Sequence, residues 1–446
     1  MPDQPTFPGP LTARAALRAA APIGSFYLAE ILVGLTDLAV VGALGTEALA
    51  AVGLGKTVLL SLLTMGFAVL SAGTVLMAEN PSPRRCGEVV LASLVVALPF
   101  TAAAVAIGAS GGGLLERGGY EPGLVAPFEA YAGVLAWAVA PAMTVAALKN
   151  ALNAAERTGI IAWLSAGVVL GNLAGSVLLV HGAGSWDGLG VAGAAWATVA
   201  VNAAAAAVLA AHCVRRGVVA PARARLGRVL RSVGGVLGLG WAAGAQQGLE
   251  SVLFAVVLTL LGTFSAAWLA AGAVAFAVME LNYALSGALG EVVAARLARL
   301  RAAGHAAALR QTLRLGTALA GGTAALLALL VGLFTDAAVA LFAADASPEA
   351  RGLMLVLLRW TAPFFVFDAW QVFFVHALRG LRRTALPMVV SASCYWAIGL
   401  GGGVVLAQTL GLGAPGVWAG FCAGLVTAAA VLGLMARAAA RTAAPP

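Results

Sequence analysis

Apolar residues in this chain run together in roughly twelve stretches of about 20 to 30 residues, each long enough to cross a bilayer as a helix. Their centres lie near Val33, Leu63, Leu98, Ala138, Val168 and Ala200 in the first half. In the second half they lie near Ala245, Ala277, Leu327, Val366, Ala397 and Leu425. The connections are mostly short and carry most of the charge; the longest is the arginine-rich stretch from His212 to Arg231. This pattern predicts an all-α integral membrane protein of about twelve transmembrane helices.

Composition leaves no other class open. Hydrophobic residues fill 61% of the 446 positions, charged residues 10%, and mean hydropathy is +0.97. A soluble domain carries about 25% charged residues, so lipid must be the solvent here. The 56 glycines suit close helix packing in lipid and are read as packing residues rather than site residues.

Charge sets the orientation. Arg14, Arg18, Arg84, Arg85, Lys149, Arg157, the Arg215–Arg231 cluster, Arg296–Arg314, Arg379–Arg383, Arg437 and Arg441 all fall on one side of a twelve-span topology. They make up roughly 22 of the 26 basic residues, and the positive-inside rule puts them, with both termini, in the cytoplasm. The outer loops hold Glu116, Glu121, Asp187, Asp336, Asp345 and Glu349 instead. The pI of 9.9 then reflects topology and the anionic inner leaflet, not nucleic-acid binding. Arg14 and Arg18 before an apolar run resemble a signal peptide, but the run continues past Leu44, too long for one, and is read as the first span. Cys86, Cys213, Cys394 and Cys422 show no CxxC pairing, which argues against a disulfide or zinc site.

The chain echoes itself. VVGALGTEALAAVGL has a partner in VVLTLLGTFSAAWLAAGAV, and ALKNALNAAERT followed by GLGVAGAAWAT has one in VHALRGLRRT followed by GLGAPGVWAG. Two lobes of six spans are expected: residues 1–211 and 233–446, joined by a cytoplasmic linker at 212–232. Six being even, both halves enter from the same side, related by a pseudo-twofold axis along the membrane normal. Parallel repeats of this kind are typical of secondary transporters, with the substrate path between the lobes. A membrane scaffold or an integral enzyme is the competing reading.

Five acids lie well inside predicted spans: Glu30, Asp37, Glu250, Glu280 and Asp368. Each costs about 2.5 to 3.5 kcal/mol at a helix centre, so each suggests a function. Glu30 and Asp37 are two helical turns apart on one face of the first span; the plainer alternative is that one of them snorkels to an interface. Asp37 is too deep for its short side chain to reach the cytoplasm. Glu250 has Gln246, Gln247 and Ser251 around it, a polar group suited to a cavity lining or to a packed hydrogen-bond cluster. Glu280 lies near Asn282 and Tyr283 and is either functional or bonded between helices. Asp368 sits among aromatic residues in FVFDAWQVFF, with Gln371 on its own face and His376 two turns on. His376 reads first as a packed or interfacial histidine and second as a proton relay. Lys56 either neutralises a helix end or lines a cavity. GLGKT at 53–57 resembles the end of a phosphate-binding loop, but the required glycine at position 50 is alanine, so an ion gradient rather than ATP is the expected energy source.

Several stretches taken together resemble the multidrug and toxic compound extrusion (MATE) transporters, nearest the NorM-like branch. Pro22 through TDLAVVGALGTEALAAVGL looks like that family's first span, with Asp37 at its characteristic aspartate. RTGIIAWLSAGVVLGNLAGSVLLV with GLGVAGAAWATV looks like spans five and six. GLESVLFAVV is similar to span seven, with Glu250 on the branch's glutamate. DAWQVFFVHALRGLRRTALPM is similar to the span-ten signature, and YWAIGLGGGVVLAQTLGLGAPGVWAG continues it. The resemblance runs from Pro22 to about Leu434 and implies a transporter, not an enzyme.

It implies a bacterial inner-membrane antiporter that exports amphipathic, often cationic, drugs or metabolites by alternating access. Entry of H⁺ or Na⁺ drives it, and no cofactor or nucleic acid takes part. Lipid surrounds it and a monomer suffices. Glu250 and Asp368 match acids linked to coupling-cation binding, Na⁺ included, and Asp37 one linked to proton or substrate coupling. Trp370 and Phe374, near Asp368, are candidates for cation–π contact or plain packing. Departures from the pattern include Glu30 for a usual glutamine, Phe364 for a tyrosine before Asp368, Gly240 and Ser286 for prolines, and Ser176 for a span-five aspartate. With Asn172, Ser176 and Thr198 at the family's first-lobe Na⁺ positions, the missing carboxylate weakens Na⁺ binding there. The alternatives are a lipid-linked oligosaccharide flippase, which would need a basic cavity where the buried charges here are mainly acidic, and an intramembrane aspartyl protease, whose YD and GxGD motifs GLTD and FVFD do not match.

Overall fold

The computed structural model describes residues 11–221, 224–342 and 347–442. Arg223 and Asp345, counted above by side, lie outside the described residues. Among those described there is no strand, and twelve helices are long and apolar enough to cross a membrane. They are α1 (Ala13–Gly42), α2 (Thr46–Ala78), α3 (Pro83–Arg117), α4 (Pro122–Ala154), α5 (Gly159–His181) and α6 (Val191–Arg215). In the second half they are α7 (Leu226–Phe264), α8 (Ala266–Ala302), α9 (Ala306–Leu333), α10 (Pro348–Gly380), α11 (Ala385–Gln408) and α12 (Ala414–Thr442). Each expected centre falls within one of them.

Local chemistry explains where the helices begin and end. The Ser82 side chain accepts the Arg85 amide at 3.3 Å, Ser347 accepts that of Ala350 at 3.2 Å, and each is followed by a proline at the first helical position. Ser265 caps α8 through the Trp268 amide at 3.2 Å. Such caps satisfy amides that a helix start leaves bare. Helix α2 breaks at Ser71, and the Asn150 amide of α4 donates to the Leu70 carbonyl at 2.9 Å beside the break.

Contacts divide the chain into two compact units. One is Ser25–Gly244, the N-terminal unit; the other, the C-terminal unit, joins the described residues up to Gly24 to those from Ala245 on. Packing therefore divides inside α1 and α7, next to Pro22 and among Gly238, Gly240 and Gly244, not at residues 211 and 233. The 212–232 segment is no loose tether either. Its ends complete α6 and begin α7, the Ala220 amide donates to the Pro83 carbonyl at 2.8 Å, and the Arg85 guanidinium donates to Ser232 at 2.8 Å.

The sequence echo has a structural counterpart. Helices α4 and α10 are both interrupted by a 3₁₀ turn, at Ala136–Ala138 and Ala362–Phe364. The same number of residues later, each half turns through a left-handed non-glycine residue, Glu156 (φ 56°) or Arg382 (φ 61°). The next amide closes the turn on the carbonyl five residues back, Arg157 on Leu152 at 2.9 Å and Arg383 on Leu378 at 2.8 Å. The GLG stretches match as well, with Gly188 and Gly190 in one, Gly411 and Gly413 in the other, all at positive φ.

Glycines set the tightest helix contact. On α11, Gly399 and Gly403 face Gly420 and Gly424 of α12, and Gly416 faces the Leu406–Ala407 backbone; a Cβ on Gly420 would run into the Gly403 backbone, and one on Gly424 would lie 2.9 Å from the Gly399 Cα. This four-residue spacing of small residues lets backbones touch where lipid supplies no hydrophobic drive. Around it packs an aromatic core of Phe254, Phe276, Trp418 and Phe421, with the Trp418 indole donating to Thr361 at 2.9 Å. Large apolar side chains such as Leu98, Trp163 and Leu170 are exposed, as lipid-facing helices require.

Candidate cation and substrate sites

In the N-terminal unit four helices converge on one carboxylate. Asp37 of α1 is fully buried, and its Oδ2 meets the Lys56 ammonium of α2 at 3.2 Å. The same oxygen accepts from the Tyr131 hydroxyl of α4 at 3.3 Å and the Thr198 hydroxyl of α6 at 3.2 Å. Oδ1 accepts from Ser176 of α5 at 3.3 Å. Asn172, one turn before Ser176, donates to Thr198 at 3.0 Å, and its own carbonyl oxygen has no hydrogen-bond partner. Sequence reasoning left the role of Lys56 open, and it is now decided: GLGKT is a helical stretch of α2 whose lysine is the counter-ion of Asp37. Tyr131 was missed; its one signal was a hydroxyl inside an apolar span.

Glu30 lies two turns below Asp37, half-buried, within electrostatic reach of both Lys56 and Lys149. Lys149 is not a surface cation as its place near the end of α4 suggested. It is buried, with its ammonium 5.0 Å from the Phe26 ring centroid and 4.8 Å from that of Tyr27. Buried charge in this unit is thus of both signs, not mainly acidic.

The C-terminal unit gathers its acids differently. The Glu250 Oε1 of α7 accepts from Gln246 one turn earlier at 2.9 Å and from Gln371 of α10 at 3.3 Å. Asp368 of α10 accepts from the Asn282 amide of α8 at 2.7 Å, and the same amide donates to the Phe365 carbonyl at 3.0 Å. The two carboxyl groups act on each other electrostatically, and Arg379 acts on Glu250 from further off. No ammonium or guanidinium touches either acid among the described residues. The Asn282 carbonyl oxygen is buried with no hydrogen-bond partner. Each carboxyl is oriented by amide donors and keeps its charge, and a carboxylate so held suits a hard monovalent cation or a proton.

The remaining candidates fall outside this set. Glu280 is exposed, two residues before Asn282 and so on another face of α8, and Gln247 is half-buried with no side-chain partner shown. His376 is buried against Gly290, its Nδ1 2.9 Å from the Val372 carbonyl. Trp370 and Phe374 are packing aromatics. The Trp370 indole donates to the Thr317 carbonyl at 3.0 Å on α9, and Phe374 fills the space that a Cβ on Gly433 of α12 would enter.

Comparison with known proteins places this arrangement. The MatE family model matches residues 22–178 and again 242–405, once in each half. The chain is 30% identical over 440 residues, 95% of its length and 93% of the relative's, to the "Probable multidrug resistance protein NorM" of Bradyrhizobium diazoefficiens. It is also 30% identical over 434 residues, 93% of the chain and 91% of the relative, to the "Multidrug resistance protein NorM" of Burkholderia vietnamiensis. The chain belongs to the MATE family of membrane transporters. The fold agrees. The eukaryotic MATE transporter AtDTX14 superposes with a TM-score of 0.85 at 18% identity, covering 96% of this chain and 97% of that one. The Vibrio cholerae MATE transporter VcmN in its bent form gives 0.82 at 19% identity, with 97% of each chain covered.

Three departures from the MATE pattern can now be placed in the structure. At Gly240, any Cβ would collide with the Val69 carbonyl of α2, so this helix pair closes where a proline ring has no room. Helix α8 is continuous through Ser286, where a proline would have removed a backbone hydrogen bond. Phe364 ends the 3₁₀ turn before Asp368 and packs against the aromatic core, adding no hydroxyl to the acids.

Proposed function

We propose that this MATE protein is a cation-coupled antiporter that exports amphipathic, cationic drugs or metabolites across a bacterial inner membrane. Both termini are then cytoplasmic and the monomer is the working unit. The observation that carries this reading is the pair Glu250 and Asp368: Gln246 and Gln371 donate to the first, Asn282 to the second, and no basic side chain touches either among the described residues. An acid pair that keeps its charge inside a membrane without an internal partner is costly. Taking up H⁺ or Na⁺ relieves that cost, and so does taking up a cationic substrate.

Competition between the two supplies the coupling. With the acids open to the outside, an entering H⁺ or Na⁺ neutralises them, their attraction for a cationic substrate falls, and the substrate leaves. Once the acids open to the cytoplasm the ion departs and a new substrate binds. The multidrug naming of the NorM relatives supports this substrate class. In the N-terminal unit, Lys56 already neutralises Asp37, and Ser176 stands where a second carboxylate would help hold Na⁺. This supports assigning ion coupling to the C-terminal acids.

The test is efflux of a cationic dye from proteoliposomes under separately imposed Na⁺ and pH gradients. Dye movement that follows one of the two gradients is expected. Movement indifferent to both would overturn the proposal.

A further inference from the structure

The C-terminal unit carries a second feature that ion coupling does not use. A groove of about 680 Å³ opens where α9, α10 and α12 meet. Its walls are mostly apolar, with Leu313 and Val366 beside the Trp370 ring. Four arginines border it: Arg310 and Arg314 in the first turns of α9, and Arg437 and Arg441 at the end of α12. Each pair is spaced by four residues, so both members project from one face of their helix.

These arginines differ from others in the chain. Arg84 pairs with Glu88 and Arg359 with Asp336, and Arg379 is buried and engaged. Arg310, Arg314, Arg437 and Arg441 are all exposed, and none has an ion pair or side-chain hydrogen bond among the described residues. No acid lines the groove among the described residues. Its back wall is fixed: the Trp370 indole bond to Thr317 presses the ring onto Gly321, where a Cβ would sit 2.8 Å from Nε1. At Gly322 a Cβ would meet nothing within 4 Å, so the space beside that wall is open.

We propose that this groove binds an anionic phospholipid, its phosphate held by the two arginine pairs and an acyl chain lying along the Trp370 wall. Guanidinium groups match phosphate oxygens in a two-point fork, which a compact ammonium does not. Basic pockets at helix ends are suited to such headgroups. The positive-inside rule accounts for arginines at this end of the spans. It does not account for two pairs bordering one apolar recess with no acid near them. A cationic export substrate would be repelled here, so the groove is separate from the acids around Asp368. Which leaflet supplies the lipid rests on the orientation argued above; binding itself does not.

The full chain, purified in mild detergent, is incubated with equal amounts of phosphatidylethanolamine, phosphatidylglycerol and cardiolipin and read by native mass spectrometry. Retention of phosphatidylglycerol or cardiolipin in preference to phosphatidylethanolamine is expected, undisturbed by millimolar inorganic phosphate. Replacing Arg310, Arg314, Arg437 and Arg441 together by Gln lowers that retention by roughly tenfold or more. Gly322→Trp, which fills the groove and keeps every charge, lowers it as well. A charge-matched variant with Arg215, Arg225, Arg228 and Arg231 changed to Gln retains lipid as wild type does. Thermal unfolding of each variant confirms that it is folded. Equal loss in the groove and charge-matched variants would overturn the proposal, as would unchanged retention in Gly322→Trp, displacement by phosphate alone, or equal retention of phosphatidylethanolamine.

Discussion

The two units surround their intramembrane acids with different partners. Asp37 in the N-terminal unit is touched by an ammonium and three hydroxyls, all from its own unit. Among the described residues, Glu250 and Asp368 in the C-terminal unit have amide donors only. An ammonium ends the demand for a counter-ion; an amide orients a carboxylate and leaves its charge in place. The internal repeat shapes the backbone of both units, as the matched turns at Glu156 and Arg382 show, yet it does not repeat the acids. The side chains around the acids differ on a repeated backbone.

The largest expected effect comes from removing the charge that lacks an internal partner. One charge moving through 100 mV supports a concentration ratio of about 50-fold. Asp368→Asn or Glu250→Gln collapses that ratio to the leak level in dye-loaded proteoliposomes, with insertion intact. Normal coupled efflux from either variant would erase the distinction between the units.

Next in size is the ion pair. Lys56→Met strands Asp37 in a buried site and costs about 3 to 5 kcal/mol, because breaking a buried pair from one side leaves an uncompensated charge. Asp37→Asn added to Lys56→Met removes both charges and restores most of that loss. Melting temperatures in detergent read the cycle; a double variant no more stable than Lys56→Met would deny the pairing. A smaller effect follows at Tyr131→Phe, which takes one of four donors from Asp37 and costs about 0.5 to 1.5 kcal/mol in the same assay. Least of all is Glu280→Gln: among the described residues no hydrogen bond or ion pair reaches this side chain on α8, and coupled efflux is unchanged.

The sequence marked the intramembrane acids more clearly than it marked what each of them touches. Runs of apolar residues mark spans because the bilayer admits little else, so the twelve helices were readable from hydropathy. Asp37, Glu250 and Asp368 stood out because a carboxylate in hydrocarbon needs a reason. Their partners come from other helices and carry no periodic signal. Lys56 is 19 residues from Asp37 along the chain and Tyr131 is 94. Lys149 looked like an interfacial cation by position and is buried against Phe26 and Tyr27. Glu280 looked buried by position and is exposed, since a two-residue offset from Asn282 turns it to another face of α8. The unit boundaries inside α1 and α7 were hidden for a related reason: they follow packing, whereas hydropathy marks only where spans end.

The most direct test measures cation binding to the purified protein, by Na⁺ titration calorimetry and by proton release on adding a cationic dye. Three proteins are compared: wild type, Glu250→Gln with Asp368→Asn, and Lys56→Met with Asp37→Asn. If the C-terminal acids carry the coupling ion, the first double variant loses binding and the second keeps it. Retention in the first with loss in the second would place the coupling ion at Asp37 and contradict the account.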